Sequence, residues 1–420
     1  MSAAVTETNT QTNKREFNAD VIRKDFPILN QEVNGHALVY LDNAATTQKP
    51  QAVIDALVHY YSFDNSNVHR GAHALADRAT TAFEGARASI AKALNSPSAK
   101  QLIWTRGTTE SINLVAQSWG RANLSEGDEV LVSTLEHHSN IVPWQLVAES
   151  RGASVKAIPV SEKGEIDLEA FKTMLSDKVK FVSVAHVSNA LGTVNPIEQI
   201  IQLAHDAGAK VLIDGAQGLA HFDVDVQKLG CDFYAFSGHK VFGPTGIGGL
   251  WGKESILNAM PPWQGGGEMI ERVSFAGTSF NTLPYKFEAG TPDIAGAIGL
   301  AAAFDYLEQF DRQSMLKHEQ ELLDYCVEKS AVIEGLKRVG QADCCASVFS
   351  FVVDGTHPAD IGTLLDQQGV AVRTGHHCVQ PLMQEFALPG TVRASFSIYN
   401  TKADVDALFI ALEKVLQFLR

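Results

Sequence analysis

Between about residue 50 and residue 255 the apolar positions switch repeatedly between two spacings. Helical periodicity marks residues 52–61, 77–94 and 111–119, and short strand-like apolar runs fall at 101–105, 129–133, 180–186 and 211–214. Apolar strands alternating with helices build a mostly parallel sheet with helices on both faces. Past residue 300 the pattern changes. A helical stretch over 301–334 carries charges spaced for an exposed face, 347–353 alternates as a strand, and 407–419 reads as a closing helix. These predict a separate, smaller α+β unit. Between the two lie Gly265-Gly266-Gly267 and a segment, 273–288, with hairpin signals and little helical pattern. The expected partition is a disordered tail at 1–16, a segment at 17–40, a large domain at 41–306 and a small C-terminal domain at 307–420. The apolar run Phe26-Pro27-Ile28-Leu29 is expected to pack the 17–40 segment onto the small domain.

Composition narrows the class. A chain of 420 residues holds two or three domains on length and easily a sizeable core. Its formal charge of -14 disfavours nucleic acid and anionic membrane surfaces as partners and fits a small-molecule enzyme. Five cysteines, an odd number without framework spacing, point to reduced thiols in a cytoplasmic setting. No run is apolar for long enough to span a membrane. The first residues lack an apolar signal core and include Glu7, which a transit peptide avoids.

Candidate chemistry centres on Lys240. The run Lys210-Val211-Leu212-Ile213 reads as a buried parallel strand, and Asp214 ends it, where open α/β sheets place their ligands. Lys240, in Ser237-Gly238-His239-Lys240 ahead of a Gly-rich run, can be presented to the same crevice. A lysine and an acid so placed suit pyridoxal phosphate, which needs a lysine for its imine link and an acid facing the pyridinium nitrogen. Taken singly, each is also readable as a surface lysine or a strand-capping aspartate. Arg106-Gly107-Thr108-Thr109-Glu110 opens a helix after a strand: a phosphate seat, or simply a threonine cap. Glu136-His137-His138-Ser139-Asn140 supplies an imidazole for ring stacking or proton transfer, and Asn189 offers an amide donor. In Arg373-Thr374-Gly375-His376-His377-Cys378 the imidazoles and the arginine set a field that favours a thiolate. A metal is disfavoured there, since three consecutive residues cannot all face one tetrahedral ion and no second ligand cluster exists. Arg393 carries a fork suited to a carboxylate, or to a domain-closing ion pair.

These segments together resemble a known family. The chain resembles the pyridoxal-phosphate-dependent class V aminotransferases of fold type I, and closely the SufS-type, or group II, cysteine desulfurases, from about residue 22 onward. The markers are Leu41-Asp42-Asn43-Ala44-Ala45-Thr46-Thr47, Asn67-Val68-His69-Arg70-Gly71, the segment from Glu136 to Trp144, Asp214-Gly215-Ala216-Gln217, Ser237-Gly238-His239-Lys240, Phe287-Glu288-Ala289-Gly290-Thr291-Pro292 and the cysteine segment. Val379-Gln380 departs from the alanine-containing form common after the cysteine, and the longer reactive loop of group I relatives is lacking.

The resemblance implies a division of labour. Lys240 bonds the cofactor and moves the substrate proton, Asp214 faces the pyridine nitrogen, Gln217 the phenolic oxygen, and His137 stacks on the ring. Thr109, Ser237 and His239 hold the phosphate, with Thr291 reaching in from the partner of a homodimer. Arg393 and Asn189 hold the substrate carboxylate, with Arg373 and His69 nearby, and Cys378 is the nucleophile. The implied reaction turns L-cysteine into L-alanine and leaves a persulfide on Cys378, for iron–sulfur cluster assembly. Selenocysteine lyase and an ordinary class V aminotransferase or epimerase are the competing readings. Because the loop 374–381 is short and pinned by Pro381, the persulfide is expected to stay close to the cofactor. An acceptor protein of the SufE or SufU kind must then insert its own cysteine.

Overall fold

A computed structural model describes residues 14–420. Its main sheet has seven strands: β1 (Leu102–Thr105), β2 (Glu129–Ser133), β3 (Ser154–Ile158), β4 (Val179–Ala185), β5 (Lys210–Asp214), β6 (Phe233–Ser237) and β7 (Gly248–Gly252). They lie in the order β1-β7-β6-β5-β4-β2-β3, with only β7 antiparallel to its neighbours. Helices cover both faces. That is why Val211, Leu212 and Ile213 form an unbroken apolar run and are all fully buried. In register, Ala185 sits beside Asp214, and Asp214 beside Ala235. The carboxyl ends of the central strands are thereby level and open one crevice.

Strand β7 fits between β1 and β6 because it is glycine-rich. Gly248 pairs with Thr105 on one side and Ser237 on the other. A Cβ at Gly248 would lie 2.4 Å from the Phe236 carbonyl oxygen and 2.6 Å from Gly107 Cα. Only glycine lets the turn after β1 approach the end of β6.

A second, antiparallel sheet consists of β8 (Leu336–Val339), β9 (Val348–Val353), β10 (Arg373–Gly375) and β11 (Thr391–Ser395), in the order β8-β9-β11-β10. Its core, around Phe349, Phe351, Leu408 and Leu412, is separate from that of the main sheet. The helical pattern over 301–334 resolves into two helices, α1 (Ile294–Glu308) and α2 (Arg312–Ser330). Phe310 is buried at the break, and Asp311 caps α2 by accepting the Ser314 N–H at 2.8 Å. Side-chain periodicity continues across such a corner, so it hid the interruption. Residues 273–288 contain half of a hairpin, Ile270–Ser274 with Gly277–Phe280, followed by the single turn Tyr285–Phe287.

The N-terminal segment touches both halves. Phe26 packs against Phe242 and Tyr306 as well as Tyr399, Val39–Tyr40 pairs with Val370–Ala371, and Arg23 bonds Asp404 at 3.2 Å. The expected tail at 1–16 falls mostly outside the described residues. At its end Arg15 is held, its N–H donating to the Gln309 carbonyl at 2.7 Å and its guanidinium to Asp25 at 3.0 Å. Among the described residues no helix is long and apolar enough to cross a membrane, and no group of three or more His, Cys, Asp or Glu could hold a metal ion.

Candidate active site

The carboxyl ends of the central strands, the turn after β1 and the edge of the small sheet enclose a cavity of about 230 Å³. Thr109, His137, Asn189, Asp214, Gln217, Ser237, His239, Lys240, Arg373, Cys378 and Arg393 all line it. His69 and Thr291 do not. The ring nitrogens of His69 face two carboxylates, Glu84 at 2.9 Å and Glu268 at 3.2 Å. Thr291 is exposed, in a different depression beside Trp104, Arg106 and Trp263.

Lys240 ends a single helical turn, Gly238–Lys240, that follows β6 directly. Burial lowers its pKa to about 8, against the opposing pull of Asp214, so its amine is neutral far more often than a surface lysine's. Burial raises the pKa of Asp214, whose Oδ1 accepts the Ala216 N–H at 2.9 Å. His137 is held near pKa 4 by burial and by Lys240. Its Nδ1 accepts the Ser139 N–H at 3.1 Å, which leaves the neutral ring's proton on Nε2. Gln217 spends one amide hydrogen on the Ala44 carbonyl at 2.6 Å and keeps the other.

At the carboxyl end of β6, Ser237 Oγ accepts the Thr108 N–H at 2.9 Å and donates to Thr108 Oγ1 at 2.9 Å. This joins β6 to the first turn of the helix Thr108–Val115. Thr108 is a participant that sequence reading passed over in favour of Thr109. Its burial, with Thr109 exposed, separates them, and that is not readable from adjacent identical residues.

The opposite wall is cationic. Asp42 pairs with Arg373 at 3.1 Å and Arg393 at 3.1 Å, so two guanidiniums share one carboxylate. Arg393 is 1% exposed, donates through Nη1 to the Asn189 carbonyl at 2.7 Å, and its buried Nε has no partner among the described residues. An unpaired buried donor costs about 1–3 kcal/mol, which an incoming carboxylate relieves. The Asn189 amide donates to the His377 carbonyl at 2.7 Å, so it braces the cysteine turn as well as lining the cavity.

Cys378 is exposed and sits in a tight turn: His377 and Cys378 have φ of 52° and 58°. Such left-handed backbone costs about 1–2 kcal/mol per non-glycine residue, so other contacts must hold it. They come from the Asn189 amide, from the His138 N–H to the Cys378 carbonyl at 2.8 Å, and from Gln380 N–H to His138 Nε2 at 3.0 Å. His377 turns away from the thiol to Thr391 Oγ1 at 2.8 Å, and burial holds it neutral, near pKa 3. The expectation that both flanking imidazoles add positive field at Cys378 therefore fails for His377.

Glu136 was quoted only as part of its segment. It is fully buried, accepts from Ser133 Oγ at 2.5 Å, Asn140 Nδ2 at 2.7 Å and the Ala185 N–H at 3.0 Å, and burial raises its pKa to about 7. These bonds tie the His137 segment to β4.

The family model for class V aminotransferases matches residues 39–408. A probable cysteine desulfurase of Vibrio cholerae serotype O1 is 54% identical over 96% of this chain and 100% of its own length. The crystal structure of the cysteine desulfurase CsdA from Escherichia coli, in its S-sulfonic acid form, is 43% identical, with a TM-score of 0.90 over 97% of this chain and 100% of that one. The apo cysteine desulfurase of Thermococcus onnurineus NA1 is 36% identical, with a TM-score of 0.91 over 97% of this chain and 100% of its own.

Proposed function

The chain belongs to the class V aminotransferase family, and we propose that its reaction is that of a pyridoxal-phosphate-dependent cysteine desulfurase. The observation that carries this reading is one cavity lined by Lys240, Asp214, Arg393 and Cys378. An ordinary aminotransferase has no use for the last of these. The residues fit the cofactor: a buried acid at a strand end, a lysine of lowered pKa, a neutral imidazole, and a glycine turn whose Gly107 Cβ would come within 2.9 Å of Ser237 Oγ.

Lys240 would bond the cofactor, Asp214 would face its ring nitrogen, Gln217 its phenolic oxygen, and His137 its ring face. Thr109, Ser237 and His239 would hold the phosphate, with Thr291 supplied by the partner subunit of a homodimer. When bound, the cofactor supplies the electron sink that acidifies the substrate's Cα–H bond. The Lys240 amine takes that proton, which its lowered pKa permits near neutral pH. Arg393 and Arg373 orient the substrate carboxylate, with Asn189 close by and His69 beyond the cavity wall. The Cys378 thiolate bonds to the substrate sulfur as the C–S bond breaks. The enzyme keeps a persulfide, and the carbon skeleton takes up one proton at Cβ, where sulfur left, recovers the other at Cα from Lys240, and leaves as L-alanine.

The persulfide is then passed by thiol exchange to an acceptor of the SufE or SufU kind, for iron–sulfur cluster assembly in the cytoplasm. We further assign the catalytic large domain to 41–306, and to 307–420 the small domain that brings in the cysteine.

The test is alanine released from L-cysteine by wild type, Cys378→Ala and Lys240→Ala. The expected result is that Lys240→Ala forms no borohydride-reducible link to the cofactor and turns nothing over. Cys378→Ala keeps that link but releases no alanine from cysteine. Undiminished turnover in Cys378→Ala would defeat the persulfide route, and if it occurred with selenocysteine alone it would indicate a lyase for that substrate.

A further inference from the structure

His137 and His138 are adjacent, yet only His137 lines the cavity. His138 meets the cysteine turn from outside, at two points that bracket Val379, immediately after Cys378. Its backbone N–H donates to the Cys378 carbonyl at 2.8 Å, and its Nε2 accepts the Gln380 N–H at 3.0 Å. Gln380 opens the helix Gln380–Glu385, whose first N–H groups have no partner within the helix, and Pro381 contributes none. The imidazole therefore fixes the point where the turn ends and the helix begins. Accepting at Nε2 requires a neutral ring with its proton on Nδ1, and partial burial together with His376 favours the neutral ring.

The other end of this segment is equally anchored. Glu136 bonds to the Ala185 N–H on β4, and Asn140 takes the Ser183 hydroxyl at 2.6 Å and the Trp144 indole N–H at 3.2 Å. A rigid segment thus reaches from the core of the main sheet to a loop of the small unit.

We propose that His138 is a positioning residue for sulfur transfer, holding the Cys378 turn in register with the cavity. This rests on the reading of Cys378 as the group that receives sulfur. Without the clamp, the turn held at φ of 52° and 58° relaxes toward ordinary backbone and carries the thiol off its line of approach. The main carboxylate fork stays in place, because Arg393 lies on β11 and is held by Asp42 and the Asn189 carbonyl, none of which His138 bonds.

The experiment compares wild type with His138→Leu, His138→Asn and His138→Gln, all as holoenzyme. Glutamine places an acceptor oxygen near the position of Nε2, whereas asparagine stops about one bond short. In Leu and Asn, kcat for alanine release is expected to fall about tenfold or more, the scale of a misplaced reacting group. KM for L-cysteine should stay within about twofold of wild type and cofactor absorbance should persist, while iodoacetamide labels Cys378 faster. Gln should recover kcat to within about threefold. Wild-type kcat in both Leu and Asn, or a Gln variant as slow as they are, overturns the proposal. So does a loss expressed in KM alone. Cys378→Ala is run alongside: if it still releases alanine, the persulfide reading itself has failed. If it is silent while Leu and Asn match wild type, only the clamp has.

Discussion

Replacing Gly248 by alanine tests whether the sheet builds the phosphate end of the site. The added Cβ would stand 2.4 Å from the Phe236 carbonyl oxygen and 2.6 Å from Gly107 Cα, where ordinary contact begins near 3.4 Å. The gap on each side must open by about 1 Å, and because both neighbours are backbone no rotamer change relieves it. Overpacking of this kind costs about 1–3 kcal/mol. Phe236 is fixed within β6, with strands on both sides, so the turn at Gly107 is the part that gives way. That turn leads into Thr108 and Thr109, so the strain falls on the proposed phosphate seat. If about 1.4 kcal/mol is expressed there, the cofactor's dissociation constant rises about tenfold.

The assay is titration of the apoprotein with pyridoxal phosphate, alongside thermal melting with and without it. Gly208→Ala is the control. Gly208 has a φ of 83° and nothing within 4 Å of its Cβ position, so it loses stability through backbone strain with no contact at the site. The expected result is lower melting temperature in both variants and weakened cofactor binding only in Gly248→Ala. Equal cofactor affinity in the two variants would refute the reasoning.

Acidification should destabilise the fold. His137, His186 and His239 titrate near 4 and His377 near 3, each lowered from 6.5 chiefly by burial. The unfolded chain therefore binds more protons between about pH 6.5 and 4, and melting temperature should drop through that window. Glu136 opposes this, since burial raises it from 4.5 to about 7 and the folded chain holds its proton more tightly, so Glu136→Gln should steepen the drop. A melting temperature that is flat or rising from about pH 7 to 5 would contradict the assignment of buried neutral histidines. A shared site across a homodimer is tested by mixing Thr291→Ala chains with Lys240→Ala chains. The heterodimer then has one site with both lesions and one with neither, and about half of wild-type activity should return. Verified heterodimers without recovered activity would exclude sharing.

Much of the fold and half of the site were legible in the chain itself. The apolar run 211–213 reads as a strand covered on both faces, and open α/β sheets place their ligands where such a strand ends, so Asp214 was identifiable from local pattern. Lys240 and Cys378 stood out by their chemistry, a lysine placed to share a crevice with Asp214 and a thiol set among imidazoles and an arginine. Strand β7 and the corner at 309–311 were not legible. Glycine-rich strands lack alternation, and a helical period runs unbroken through a capped corner. The rest of the site depends on contacts between distant segments. Asp42 meets Arg393 across 351 positions, and Gln380 meets His138 across 242. Neither partner carries a local signal of the other, because sequence periodicity records only which face of an element is buried. Which elements then meet, and so which charges pair and which backbone is bent around Cys378, is decided by packing the small sheet against the carboxyl ends of the large sheet's central strands.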